Sequence, residues 1–72
     1  MYWEYRVVRH LEGEYTWLSV HEIYYYSDGK IMGWIKQPTD LFGESLEELK
    51  NCIEDIESAF SKPIMQVEDL PQ

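Results

Sequence analysis

Two histidines, one cysteine and a dense set of carboxylates are the residues of this chain that could do chemistry. His10 and His21 could act as general bases or metal ligands. Cys52 could be a nucleophile, and the adjacent His21 and Glu22 an acid–base pair. Each has a plainer use. A zinc site needs three or four convergent ligands in recognisable spacings, and none is present. Neighbouring residues of a strand point to opposite faces, so a regular strand separates His21 from Glu22. A cross-strand ion pair or solvent exposure is the expected fate of both. Cys52 falls within an apolar helical stripe, where it reads as a small core residue. The carboxylates of residues 44–57 lie on a convex, wet helix face that offers no cleft to raise a pKa. The four glycines, Gly13, Gly29, Gly33 and Gly43, are dispersed and form no phosphate-binding loop. The expectation is a non-enzyme with no metal and no cofactor. The competing idea, a small ligand-binding domain or enzyme, requires a closed polar pocket around His21 or Tyr24.

The elements that must position these residues are legible in outline. Tyr2 to His10 reads as a strand, with Trp3, Tyr5 and Val7 on one face and Glu4, Arg6 and His10 on the other. Leu11 to Glu14 is a turn, with Gly13 as its positive-φ residue. Tyr15 to Tyr26 is a long strand of mixed parity. Leu18, Val20, Tyr24 and Tyr26 share one face, and Tyr15, Trp17, Ile23 and Tyr25 the other. Either both faces are partly covered, or a bulge near His21-Glu22 switches the parity. Asp28-Gly29 supplies the positive φ angles of a tight hairpin turn and leads into a third strand, Lys30 to Lys36. After a loop, Ser45 caps a helix with Glu48 three residues on, a capping box. Leu46, Leu49, Cys52, Ile53, Ile56, Ala59 and Phe60 then recur at helical spacing, a stripe expected to face the sheet. Pro63 ends the helix. Ile64 to Val67 is a candidate fourth strand on a sheet edge, and Glu68 to Gln72 a frayed tail. The fold class is α+β: one domain over residues 1–72, a three-stranded antiparallel meander packed on one C-terminal helix, with a short fourth strand as an option.

Seventy-two residues lie near the lower limit for an unstapled core. Three Trp, six Tyr and two Phe compensate, since each ring can bury roughly 150–250 Å². One cysteine permits no intrachain disulfide, which fits a reducing compartment. The N-terminus lacks the basic and apolar regions of a signal peptide, and no apolar run approaches the roughly 20 residues of a membrane span. A cytoplasmic protein is the expectation. The net charge of −8 is uneven. Residues 1–36 carry four basic and five acidic side chains, residues 37–72 two basic and nine acidic. Without a Lys/Arg cluster, neither direct nucleic-acid binding nor docking on an anionic membrane is expected.

A Tyr-Arg-Val-Val start (Tyr5 to Val8), a His-Glu-Ile-Tyr-Tyr strand (His21 to Tyr25), Asp28-Gly29, Gly33-Trp34 and Gly-Glu-Ser-Leu-Glu-Glu-Leu (Gly43 to Leu49) run through the chain. In this pattern it resembles short uncharacterised bacterial and phage proteins. The Gly-x-Ser-x-Glu-Glu opening of the helix after a meander is similar to the small domain of HicB-type antitoxins. That likeness implies a βββα domain and an antitoxin-like role. The Pro-Asp-Leu-Pro-Gly-Cys segment of that family is not in this chain.

The aromatics and the acid together suggest an interaction module. Tyr24, Tyr25 and Tyr26 must place rings on both sheet faces, and one helix covers only one of them. Exposed aromatic surface of that kind marks a partner site. The expected function is a non-catalytic protein-interaction module, a homodimer through the aromatic sheet face or an edge strand, whose acidic helix meets a basic protein partner. Its expected contact residues are Trp17, Tyr24, Tyr25, Tyr26, Trp34, Glu47, Glu54 and Asp55. The alternative is a phage-type inhibitor that mimics nucleic-acid charge with a spaced row of carboxylates.

Overall fold

Gly13 adopts φ +62° and lets the first two strands turn back on each other through two residues, Gly13 and Glu14. Only a residue without Cβ takes that angle freely at the first central position of such a turn. The strands it joins are β1 (Tyr2–Glu12) and β2 (Tyr15–Tyr25), paired antiparallel without interruption from Glu12↔Tyr15 to Tyr2↔Tyr25. There is no bulge at His21-Glu22. The mixed parity of β2 therefore means that both faces of the sheet are partly covered.

The computed structural model describes residues 1–72. The second hairpin leads to β3 (Ile31–Trp34), shorter than the Lys30–Lys36 expected. Gly29 alone has positive φ, +89°. Its N–H bonds the Tyr26 carbonyl at 3.0 Å, and the Tyr26 N–H bonds the Lys30 carbonyl at 2.8 Å. This is a three-residue loop with a glycine bulge in place of the two-residue turn that Asp28-Gly29 suggested. The Asp28 carboxylate accepts from the Lys30 N–H at 3.0 Å and fixes the loop. The register then slips: Tyr24 faces Gly33 and Tyr25 faces Ile31, leaving Met32 as the extra residue. Beyond β3 the chain stays on the β2 edge, through Ile35 N–H to the Glu22 carbonyl and Thr39 N–H to the Val20 carbonyl.

Ser45 caps α1 (Leu46–Glu57) as expected, its Oγ accepting from the Glu48 N–H at 3.1 Å. Glu48 reaches back to the Glu44 N–H at 2.8 Å. Glu47 and Glu48 lie in the first turn, where the helix dipole favours negative charge. Gly43 sits against the backbone of this helix; a Cβ there would lie 2.3 Å from Leu49 N. Gly43→Ala is expected to cost about 1–3 kcal/mol, the usual range for forced backbone displacement. A thermal melt checks it, and an unchanged midpoint would show that the loop yields freely.

After a 3-10 turn (Ser58–Ser61), the chain returns to the free edge of β1. Arg6 draws it there, donating from Nη2 to the Pro63 carbonyl at 2.7 Å. Lys62 Nζ lies 3.0 Å from Glu4 Oε1, and Arg9 bonds the Gln66 side chain at 3.1 Å. Between these ties β4 (Met65–Gln66) pairs parallel with β1, Val8 opposite Met65. The sheet order is β3-β2-β1-β4. The protein is thus α+β with a fourth strand, and its sheet is mixed, correcting the antiparallel meander.

Two further corrections concern the covering of the faces. The tail read from Glu68 to Gln72 sends one side chain into the core: Leu70 is 3% exposed and packs on Val8, Ile23 and Tyr25, with Ile31, Trp34, Met65 and Val67 around them, while its four neighbours in the tail are exposed. Trp34 Nε1 donates to the Pro71 carbonyl at 2.7 Å and pins the end of the chain. That tail covers the sheet face opposite the helix. On the helix side only Val7 and Ala59 are buried. No residue of α1 is buried. Leu49, Cys52 and Ile56 are half-buried, whereas Leu46 is 83% and Phe60 67% exposed. The apolar stripe is wider than the ground two long strands offer, so one flank stays open. No helix is long and apolar enough to cross a membrane.

Candidate functional site

The register of the first hairpin decides which side chains meet. Even residues of β1 share a face with odd residues of β2. His10, Ser19 and His21 therefore point the same way, and they converge. Ser19 Oγ lies 2.7 Å from His21 Nε2 and 2.9 Å from His10 Nε2, and the two Nε2 atoms are 2.9 Å apart. His21 Nδ1 lies 2.8 Å from the Ile35 carbonyl. A carbonyl only accepts, so Nδ1 carries the proton and Nε2 is left as an acceptor. The consistent chain runs from His10 Nε2–H to Ser19 Oγ, and from Ser19 Oγ–H to His21 Nε2.

His21 is fully buried. Trp34 meets its ring edge-on at 5.1 Å, and His10 stacks on Trp17 at 5.0 Å. Burial lowers the His21 pKa below its usual value; the Ile35 carbonyl opposes this, and the neighbouring His10 adds to it. In outline, Ser19, His21 and the Ile35 carbonyl have the order nucleophile, base, orienting group. Yet the Ser19 hydroxyl is held between two imidazoles, and neither histidine lines a surface groove. No third His, Cys, Asp or Glu joins the pair in a metal-binding group. The arrangement acts as a buried polar pin that ties β1, β2 and the Ile35 strap together.

A second polar cluster lies at the other end of the same face. Tyr25 Oη donates to Glu4 Oε2 at 2.7 Å, and Arg6 Nη1 lies 3.2 Å from the same oxygen. Burial, followed by this bond to Glu4, pushes the Tyr25 pKa up to about 12. Burial alone raises the Glu4 pKa. The bonds from Tyr25, Lys62 and Arg6 outweigh it and hold the carboxyl below its usual value.

The expected contact residues are scattered by the fold. Tyr25 is core, 6% exposed, and is corrected from a contact residue to a packing one. Trp17, Tyr24 and Trp34 are half-buried, Trp17 between Tyr15 and His10, Tyr24 with its hydroxyl on Glu22 at 3.0 Å. Tyr26 is 51% exposed at the hairpin tip. Tyr2, Trp3 and Tyr15 stay exposed on the sheet as well. Glu47, Glu54 and Asp55 are exposed on α1, as the helical periodicity required. What the sequence reading missed lies beside them. Leu46 and Ile53, with Leu49 beneath them, form an open apolar flank with Lys50, Glu54 and Glu57 along its border, and Phe60 is exposed past the end of the helix. Next to it, Phe60 and Ile64 rim a shallow groove floored by Val7, Leu18 and Val20. The width of the seven-residue stripe, set against only two long strands, was the available signal. No family model, curated protein or solved structure matches the chain.

Proposed function

We propose that this protein is a non-catalytic protein-interaction module whose recognition surface is helix α1. The observation that carries this is the helix itself: an amphipathic element with no buried residue, its apolar flank open to water and its outer face acidic. Monomeric proteins seldom leave contiguous large apolar side chains uncovered, and such patches mark partner surfaces. Glu47, Glu54 and Asp55 stand on the outer face, and the second half of the chain carries a net charge of −7. That field steers a basic protein toward the helix. The likeness of Gly43 to Leu49 to the HicB helix opening agrees with an antitoxin-like use of the surface, in which the basic partner is a toxin-like or nucleic-acid-processing protein.

The test is cross-linked capture from the native host with three baits: wild type, Leu46→Glu, and Glu47→Lys/Glu54→Lys. A basic partner recovered by wild type should be lost or reduced at least tenfold with both variants. Equal recovery by all three baits would remove helix α1 from the recognition surface and end this reading.

A further inference from the structure

The geometry points to a second copy of this chain as the occupant of the apolar flank, with α1 packed antiparallel on its own symmetry mate. This inference rests on the reading of α1 as the recognition surface and names what covers its apolar side.

Three observations converge on a second copy. The first is area. A monomer of 8.7 kDa ordinarily exposes about 4,700 Å², but this one exposes 5325 Å². The radius of gyration is 13.1 Å, against about 11 Å for a compact chain of this length. The molecule is a slab of 38 × 33 × 20 Å. The excess surface over the whole molecule is about 600 Å², and Leu46, Ile53 and Phe60 are among the exposed apolar side chains that contribute to it; each partner of a stable complex covers roughly 800 Å².

The second is self-complementary order along the helix. A two-fold axis at Ile53 sets each flank against itself in reverse. Leu46 then faces the 3-10 turn of the other copy, where Phe60 is exposed, and Ile53 faces Ile53. An isologous interface requires this matching of large apolar groups. At the helix end, Phe60 meets the groove over Leu18 and Val20, which gives the flank depth.

The third is charge. Lys50 is the sole basic residue of α1 and makes no ion pair within its own chain; neither do Glu54 and Glu57. The same antiparallel alignment brings Lys50 beside Glu57 of the other copy, twice by symmetry. A parallel alignment instead sets like residues against like, Glu54 on Glu54 and Glu57 on Glu57. The pairing fixes orientation more than affinity. Because each protomer carries −8, added salt should tighten the dimer by screening the repulsion between copies.

Light scattering on a sizing column, run over a hundredfold range of protein concentration, should report twice the 8.7 kDa mass at the upper end. Leu46→Glu and Ile53→Lys, both at solvent-exposed positions, should give monomers with unchanged circular dichroism. Lys50→Glu and Glu57→Lys should each weaken association about tenfold, and the double swap should restore it. In a Cys52→Ser background, Ile53→Cys should cross-link to a disulfide dimer under mild oxidation, and Glu47→Cys should not. A monomer at every concentration, or a dimer indifferent to Leu46→Glu and Ile53→Lys, overturns the proposal. A monomer whose Leu46→Glu variant still loses a captured partner overturns the second copy alone and leaves the interaction module standing.

Discussion

Leu70→Ala should unfold much of the population at room temperature, although the residue is third from the end of the chain. Leu70 is 3% exposed against Val8, Ile23 and Tyr25. Removing a buried leucine side chain costs about 2–5 kcal/mol, from lost transfer energy and the cavity left behind. A small domain with one thin core has a total stability of only about 3–5 kcal/mol. Only seven of 72 residues are buried, so no other packing can offset the loss. Urea denaturation followed by Trp fluorescence reads the effect, since Trp34 lies beside the site and bonds the Pro71 carbonyl. Wild type and variant must be compared at one protein concentration, because the proposed self-association would shift the midpoint too. An alanine variant with the wild-type midpoint would mean that the tail frays and leaves the sheet face bare. Truncation after Asp69 should be at least as damaging, as it removes Leu70 and the Pro71 carbonyl together.

Mild acid should destabilise the protein through His21, the second large effect. Its pKa in the folded state is lowered, chiefly by burial, with the neighbouring His10 adding to the shift. The unfolded chain therefore takes up a proton at higher pH than the folded protein does. The stability that depends on neutral His21 is complete above a pH of about 6.5, and it drains away as pH falls from there toward the folded pKa. The groups facing the ring are His10 across the hairpin, Ser19 two residues back on the same strand, the Ile35 carbonyl and Trp34, with Arg6 opposite in the register; none of them is a carboxylate that could hold a charged imidazole. A second loss follows at lower pH. The Glu4 pKa is held below 4.5, so its bonds to Tyr25, Arg6 and Lys62 hold in full above the unfolded carboxyl value and fail beneath it. Urea midpoints between pH 7.5 and 5 should decline in wild type. In His21→Leu the curve should start lower, because the Ile35 carbonyl and the Ser19 hydroxyl lose their partner, and the His21-dependent part of the slope should vanish. A wild-type midpoint that is flat from pH 7.5 to 5 would show that His21 accepts a proton in place without cost.

The local features of this fold are written in short stretches of sequence. Gly13 and Gly29 set the two turns because only glycine enters positive φ freely, and Ser45 with Glu48 starts the helix because orphan N–H groups need acceptors. Strand and helix types followed from period, and the inward or outward place of Glu47, Glu54 and Asp55 followed from the 3.6-residue repeat. The meeting of His10, Ser19 and His21 was within reach once Gly13-Glu14 is taken as a two-residue turn, since that register fixes the shared face. It was hidden while the parity of β2 stayed open.

Other features depend on groups far apart in the chain, and tertiary structure alone decided them. Ile64 to Val67 reads as a strand, but nothing after it marks Leu70 as core; Arg6, Glu4 and Trp34 place the segment by bonding Pro63, Lys62 and Pro71 across more than half the chain. That choice set the tail on one sheet face and buried Tyr25, so the three consecutive tyrosines divide into a half-buried, a buried and an exposed ring. It also left α1 the other face, whose half-covered ground holds Leu49, Cys52 and Ile56 but not Leu46 or Phe60. Periodicity tells how wide an apolar stripe is. Only the packed structure tells how much of it the rest of the chain can cover.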